Sequence, residues 1–158
     1  MKTRKIYLET TIFNYYFDND RMAHPATVKL FNEIKEKKFE AYTSSYVVDE
    51  LLKAQEPRQS AMINLINKYG IILLPKNNET FALANKYIEG NIIPKGSVLD
   101  AQHIACASIN NINCVISLNF THINRAKTKE LVPYVNKQNG YNSDISIFSP
   151  MEVIENEE

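Results

Sequence analysis

Three carboxylic acids and one amide occur in this 158-residue sequence at positions where such side chains can do chemistry. Glu9 directly follows a short apolar run, and Glu50 lies in the segment after a second strand-like run. Asp100 opens an alanine-rich segment, and Asn119 follows a β-branched run. Carboxylates that are brought together repel one another unless a cation is present or a proton is shared. The four residues therefore predict an acidic site, provided that the fold places them side by side.

The elements that must position these residues are strands that alternate with helices. The strand-like runs are at 5–8, 39–43, 71–74, 114–118 and 145–148. This alternation predicts a single α/β domain over residues 1–158, a three-layer α/β/α sandwich with a mostly parallel central sheet. The run 71–74 is apolar throughout, and we expect it to be buried on both faces. The segment 132–135, which contains Pro133, is predicted to be a connector.

Parallel strands end at one edge of a sheet, and folds of this kind carry their sites there. Glu9, Glu50 and Asn119 reach this edge because they follow strands one, two and four. Asp100 joins them because a helix that precedes a parallel strand begins at the same edge. Oxygen ligands of this type suit Mg²⁺ or Mn²⁺. A divalent ion held there would activate water and stabilise the charge of a phosphodiester during its hydrolysis.

Each of these residues also has a structural interpretation. Ser97 and Asp100 have the spacing of a helix capping box. Glu50 can pair with a lysine three residues later, and Asn119 can be a turn residue. For Asp100 and Glu50 taken alone, the structural interpretation is the stronger one. Glu9 is harder to explain in this way, because acids are depleted in strands.

Two histidines and two cysteines complete the set of chemically active side chains. His103 lies on nearly the same helical face as Asp100, and we interpret it as a residue that orients a carboxylate, as one that contacts substrate, or as a hydrogen-bonded packing residue. His122 has the same interpretations. Cys106 and Cys114 are too few for a disulfide framework and are expected to be small buried hydrophobes in a reducing compartment. A zinc site from these four residues lacks a recognised ligand spacing.

The overall charge excludes one way of attracting nucleic acid. Lys and Arg total 18 and Asp and Glu total 18, so the formal net charge is zero and any nucleic-acid binding must be local. No apolar run approaches the roughly 18–20 residues of a membrane span. The basic start of the sequence has no long apolar stretch after it, unlike a secretory signal. We therefore expect a cytoplasmic protein without membrane contact.

Four segments of the sequence resemble the PIN-domain family, which includes the VapC-type nuclease toxins of toxin–antitoxin pairs. They are IYLETTI at 6–12, SSYVVDEL at 44–51, LDAQHIACA at 99–107 and ISLNFTHI at 116–123. The ending SPME at 149–152 also resembles one branch of the family. Each motif is weak alone, but their order and spacing along the whole chain make the resemblance specific.

The resemblance implies a PIN-like α/β/α fold and a divalent-metal-dependent ribonuclease that is the toxin component of a toxin–antitoxin pair. Carried over position by position, Glu9, Glu50 and Asp100 bind Mg²⁺ or Mn²⁺. Asn119 occupies the place of a fourth acid, and Thr11 supplies a hydroxyl beside the site. The implied partners are an RNA substrate, an antitoxin protein and a second copy of the chain in a homodimer.

Two positions depart from the family pattern. Glu9 stands where aspartate is usual, and the extra methylene moves the carboxylate by about an ångström, which matters at a geometrically demanding Mg²⁺. Asn119 stands where many members have an acid, so one charge is missing. These departures motivate an alternative, a catalytically degenerate PIN-like module that binds RNA or an antitoxin. A phosphotransfer domain of flavodoxin-like shape is a weaker alternative, because it needs an aspartate at the end of a middle strand.

Cations near the acidic edge are the candidates for holding the RNA backbone. They are Lys53, Arg125, Lys127 and Lys129. For each of them, a solvated surface position is the stronger interpretation.

Overall fold

A five-stranded sheet forms the middle layer of the computed structural model, which describes residues 3–155. Its strands are β1 (Arg4–Leu8), β2 (Phe39–Ser44), β3 (Ile72–Leu74), β4 (Cys114–Ile116) and β5 (Ser146–Phe148). They lie in the order β3-β2-β1-β4-β5, and every neighbouring pair is parallel. The predicted parallel sheet is confirmed, and β1 is its central strand.

Eight helices in the described part of the chain flank this sheet and complete an α/β/α sandwich. They are α1 (Thr10–Tyr15), α2 (His24–Lys35), α3 (Ser45–Leu51), α4 (Arg58–Lys68), α5 (Asn78–Glu89), α6 (Val98–Ile109), α7 (Ala126–Gln138) and α8 (Pro150–Val153). No helix within residues 3–155 is long and apolar enough to cross a membrane.

The two middle strands carry the core. Ile6, Tyr7 and Leu8 of β1 and all three residues of β4 are buried, as expected for parallel strands that are covered on both faces. Helix α6 packs against α5 and β4, and all but one of residues 101–108 are buried. The start of α6 is thereby held next to the carboxyl edge of the sheet.

The strand β3 is an exception to this burial. Within the described residues it pairs only with β2, at an edge of the sheet. Ile72 and Leu73 are 44% and 49% exposed. The prediction that this run is buried on both faces is therefore wrong. An apolar run is compatible with a central or an edge strand, and only the strand order distinguishes the two.

The segment 132–135 belongs to the continuous helix α7 rather than to the predicted connector. Thr128, Val132 and Asn136 recur every four residues and are buried on one side of this helix. The amide of Asn136 bonds to the hydroxyls of Tyr87 and of a serine in α6. Packing of this stripe stabilises α7 in spite of the backbone hydrogen bond that Pro133 cannot donate.

Candidate active site

Glu9 follows the last residue of β1 and is almost completely buried, with 3% of its surface exposed. Its backbone N–H donates to the carbonyl oxygen of Ile116 (3.1 Å), which ties this junction to the end of β4. Its Oε1 accepts hydrogen bonds from the hydroxyls of Thr11 (2.5 Å) and Ser117 (2.7 Å). The Thr11 hydroxyl also accepts a bond from the backbone N–H of Leu118 (2.8 Å). The structure thus places Thr11 directly against Glu9.

Glu50 pairs with a buried histidine. Nε2 of His103 in α6 lies 2.5 Å from Oε1 of Glu50 in α3, and the hydroxyl of Thr10 donates to the same oxygen (2.7 Å). The His103 side chain is 1% exposed, and that of Glu50 is 27% exposed. Glu50 therefore bonds to His103 and not to Lys53, and His103 both orients this carboxylate and packs in the interior as a hydrogen-bonded residue. We call Glu50 and His103 the inner pair.

Two hydroxyls lie behind His103. Nδ1 of His103 is 2.9 Å from the hydroxyl of Tyr7, which is 2.6 Å from the hydroxyl of Ser44. All three side chains are buried. In the charged form of the imidazole both ring nitrogens donate, so Nδ1 donates to Tyr7 and Tyr7 donates to Ser44. This chain of hydrogen bonds fixes the orientation of the ring that holds Glu50.

Burial and charge act in opposite directions on the inner pair. Burial alone lowers the pKa of His103, but the hydrogen bond to Glu50 and the charges of the three acids outweigh it, so the pKa lies above its ordinary value. Burial alone raises the pKa of Glu50, but the hydrogen bond and charge of His103 outweigh it, so the pKa lies below its ordinary value. Both shifts favour the charged forms of the two side chains.

The pKa of Glu9 is shifted in the opposite direction to that of Glu50. Burial raises the pKa of its carboxyl, and the neighbouring charge of Glu50 raises it further. The charge of His103 and the two hydroxyl bonds oppose this shift without cancelling it. The charged form of Glu9 is therefore disfavoured at its position, and an added cation would stabilise it.

Asp100 forms a second carboxylate–histidine pair with His122, which we call the outer pair. Oδ2 of Asp100 lies 3.0 Å from Nδ1 of His122, and their side chains are 20% and 27% exposed. The capping box suggested by the sequence does not form, because the Ser97 side chain makes no cap hydrogen bond. Its hydroxyl instead lies 3.2 Å from Nδ1 of His122.

Asn119 closes a turn and contacts the site at the same time. Its Oδ1 accepts hydrogen bonds from the backbone N–H groups of Thr121 (3.2 Å) and His122 (3.1 Å). Its Nδ2 donates to Oδ1 of Asp100 (3.2 Å). An acid in this place would repel Asp100, whereas the amide forms a hydrogen bond with it.

The fold brings the three predicted acids to one edge of the sheet. Glu9 follows β1, Glu50 bonds to His103, and Asp100 bonds to Asn119 beyond the end of β4. Within residues 3–155, no three His, Cys, Asp or Glu side chains lie close enough to hold one metal ion together.

The donor atoms nevertheless suit a hard cation. Carboxylate oxygens are the ligands that Mg²⁺ and Mn²⁺ prefer. Both described hydrogen bonds to Glu9 and both to Glu50 go to Oε1, so Oε2 of each accepts none from the described residues. These oxygens are therefore of the type that binds a divalent ion, although the described side chains do not surround one common position.

The cations suggested for the RNA backbone have different surroundings. Lys53 is exposed, and its charge helps to lower the pKa of Glu50. Arg125 is used by the fold, because its guanidinium donates to a backbone carbonyl (2.5 Å) and to a threonine hydroxyl in α7 (3.1 Å). Lys127 and Lys129 are exposed near the start of α7.

Three residues of the site were not among the sequence predictions. Thr10 bonds to Glu50, Ser117 bonds to Glu9, and Tyr7 bonds to His103. A hydroxyl inside the β-branched run was a signal for Ser117. Tyr7 had no signal, because a tyrosine in a strand has the pattern of an ordinary core residue.

No family model matches this sequence, and no curated protein matches it. Among solved structures, the fold is similar to that of VapC20 from Mycobacterium tuberculosis, a toxin that cleaves the sarcin-ricin loop. The two structures have a TM-score of 0.53 and 14% sequence identity over 74% of this chain and 92% of that one. The likeness confirms that the chain has a PIN-like fold.

Proposed function

We propose that this chain is a divalent-metal-dependent ribonuclease that hydrolyses phosphodiester bonds of RNA. The observation that carries the proposal is the convergence of Glu9, Glu50 and Asp100 around the buried His103 at the carboxyl edge of a parallel sheet. Burying one acid and crowding it with a second costs stability, as the raised pKa of Glu9 indicates. Such a cost is typical of a functional site rather than of a structural one.

The three acids would hold Mg²⁺ or Mn²⁺ in this enzyme. A divalent ion there would lower the pKa of water and would stabilise the charge that develops on the phosphodiester. Thr11 holds Oε1 of Glu9, and His103 holds Oε1 of Glu50, so each carboxylate keeps its orientation while its second oxygen stays available. Asp100 differs from them, because Oδ1 accepts from Asn119 and Oδ2 lies 3.0 Å from Nδ1 of His122, so an ion there would replace one of these contacts.

The biological role that we propose is that of the toxin in a toxin–antitoxin pair. The likeness to VapC20 supports this role, since that protein is a toxin that cleaves RNA of the sarcin-ricin loop. An antitoxin protein that covers the acidic edge and a second copy of the chain are the partners that we propose with it, in the cytoplasm.

The test is cleavage of a labelled mixed-sequence RNA by the purified chain with Mn²⁺, with Mg²⁺ and with chelator. We expect cleavage only with a divalent ion, and its loss in the Asp100→Asn variant. The Asp144→Asn variant is a matched control, because Asp144 is exposed and lies just before β5, at the opposite edge of the sheet. Unchanged cleavage by Asp100→Asn would refute the assignment of the site.

A second candidate function is a degenerate module that binds RNA or an antitoxin without cleaving. Two observations favour it: Asn119 supplies an amide in place of an acid, and each of the three acids already has hydrogen-bond partners. Calorimetric titration with Mn²⁺ separates the two functions. A folded chain that neither cleaves RNA nor binds Mn²⁺ is this module, whereas Mn²⁺ binding without cleavage would indicate the wrong RNA substrate.

A further inference from the structure

An aromatic ring and a planar cation lie together close to the acidic edge. The guanidinium carbon of Arg21 is 5.6 Å from the centroid of the Tyr15 ring, within the range of a cation–π contact. Tyr15 is half-buried, with part of its ring packed on the core, and Arg21 is exposed. Met22, the next residue, is 98% exposed. We call Tyr15 and Arg21 the aromatic platform.

The helix α1 sets the distance between this platform and the acids. Thr11, which bonds to Glu9, and Tyr15 are four residues apart in α1 and therefore lie on the same helical face. One helical turn rises about 5.4 Å. Tyr15 therefore lies about one turn further along α1 than the residue that holds Glu9.

Hydrogen bonds hold the turn that presents the platform. The guanidinium of Arg58 donates to the carbonyl oxygen of Asn14 (2.8 Å) and to Oδ1 of Asp18 (2.9 Å). Nδ1 of His24 donates to the carbonyl oxygen of Tyr15 (2.8 Å). The backbone N–H of Arg21 donates to the carbonyl oxygen of Asp18 (3.0 Å). The two stacking groups are therefore ordered before any ligand arrives, which reduces the entropy cost of binding.

The net charge of zero explains why an RNA-cleaving chain would need such a platform. Without a long-range positive field, a polyanion must be retained by contacts that do not depend on overall charge. Unpaired bases stack on tyrosine rings and on arginine planes. We propose that the aromatic platform is a stacking subsite for an unpaired RNA base of a strand that is bound at the acidic edge. This proposal rests on the ribonuclease function proposed above.

The experiment uses a property of the sequence, which contains no tryptophan. Tyr15→Trp introduces a single fluorophore at the platform, and Tyr134→Trp places one on the exposed face of α7 as the matched control. The probe is a single-stranded mixed-sequence RNA oligonucleotide, compared with the same oligonucleotide made abasic. The titrations are run in chelator and, separately, with Mg²⁺ in the Asp100→Asn background, so that the RNA stays intact. We expect the base-bearing RNA to quench the fluorescence of Tyr15→Trp only.

Binding constants measured by fluorescence anisotropy complete the test. Stacking contributes about 1–3 kcal/mol per base, so Tyr15→Ala should weaken binding by about 5- to 150-fold. Tyr15→Phe should bind like the unmodified chain. Arg21→Ala should also weaken binding, and this exposed position avoids a folding defect, which thermal melting of every variant would reveal.

The outcomes distinguish this proposal from the one on which it rests. RNA cleavage together with unchanged binding by Tyr15→Ala and Arg21→Ala would overturn the stacking subsite and leave the ribonuclease intact. RNA binding without quenching of Tyr15→Trp would do the same. Absence of both RNA cleavage and RNA binding by the unmodified chain would overturn both proposals.

Discussion

Two carboxylate–histidine pairs flank the acidic edge, and they differ in depth. In the inner pair, His103 is buried and is held from behind by the Tyr7 hydroxyl. In the outer pair, both side chains are partly exposed and the histidine contacts the hydroxyl of Ser97. The same two chemical groups thus have different surroundings only a short distance apart.

This difference teaches what each pair contributes. Breaking the inner pair by removing His103 is expensive, because it takes the neighbouring positive charge from Glu9, which is 3% exposed. A partly exposed pair is solvated and loses little when one partner is removed. We therefore expect the inner pair to maintain the fold of the acidic edge, and the outer pair to matter mainly for ligand binding.

The largest expected effect is that of removing the inner histidine. His103→Ala leaves Glu50 without its partner and Glu9 without a nearby cation, and should lower the free energy of unfolding by roughly 2–4 kcal/mol. His122→Ala should lower it by less than about 1 kcal/mol. Urea unfolding followed by circular dichroism measures both values. Equal losses in the two variants would show that depth does not distinguish the pairs.

The hydroxyls that support the two histidines provide a second contrast. Tyr7→Phe leaves a buried imidazole N–H and the Ser44 hydroxyl without their partner, and should cost about 1–3 kcal/mol. Ser97→Ala, its counterpart at the outer pair, should change stability by less than about 0.5 kcal/mol. The same unfolding measurement applies. An unchanged free energy of unfolding in Tyr7→Phe would indicate that water replaces the hydroxyl, so that solvent reaches the inner pair.

Neutralising Glu9 tests the cost of the extra charge beside the inner pair. Its pKa is higher in the folded chain than in the unfolded chain, so the folded state loses stability as pH rises through the interval between the two values. Glu9→Gln removes this cost and should raise the free energy of unfolding at pH 7. The gain should vanish near pH 3, where the glutamic acid is protonated.

Mn²⁺ titration of the Glu9→Gln variant tests whether the charge of Glu9 contributes to metal binding. We expect Glu9→Gln to gain stability and to bind Mn²⁺ more weakly, a trade-off typical of functional sites. Asp100→Asn, at the outer pair, should weaken Mn²⁺ binding without a gain in stability. A Glu9→Gln variant that binds Mn²⁺ like the unmodified chain would remove Glu9 from the metal site.

The smallest expected effect is the reactivity of the buried thiols. Burial raises the pKa of Cys106 to about 12 and that of Cys114 to about 11. The thiolate is the reactive form, so iodoacetamide at pH 8 should label neither residue in the folded chain. Both should be labelled in urea, as mass spectrometry can show. Cys106 lies beside Ser44, the hydroxyl that bonds to Tyr7 behind the inner pair. Rapid labelling of Cys106 would therefore reveal local opening next to the inner pair.

The sequence by itself determined the elements and the edge at which chemistry is placed. Alternating strand and helix patterns imply a parallel sheet, and parallel strands end together, so the order of the elements alone assigns Glu9, Glu50 and Asp100 to one edge. Local periodicity carries this information because it depends only on neighbouring residues. The exposed position of β3 does not follow from it, because an apolar run does not specify its place in the strand order.

Only the tertiary structure decided which side chains meet. Glu50 has a lysine three positions later in the sequence, yet it pairs with His103, which is 53 positions distant. Tyr7 and His103 are 96 positions apart, and no local pattern connects them. Such partners are set by the packing of α3, β1 and α6 and by the need to satisfy every polar group that this packing removes from water.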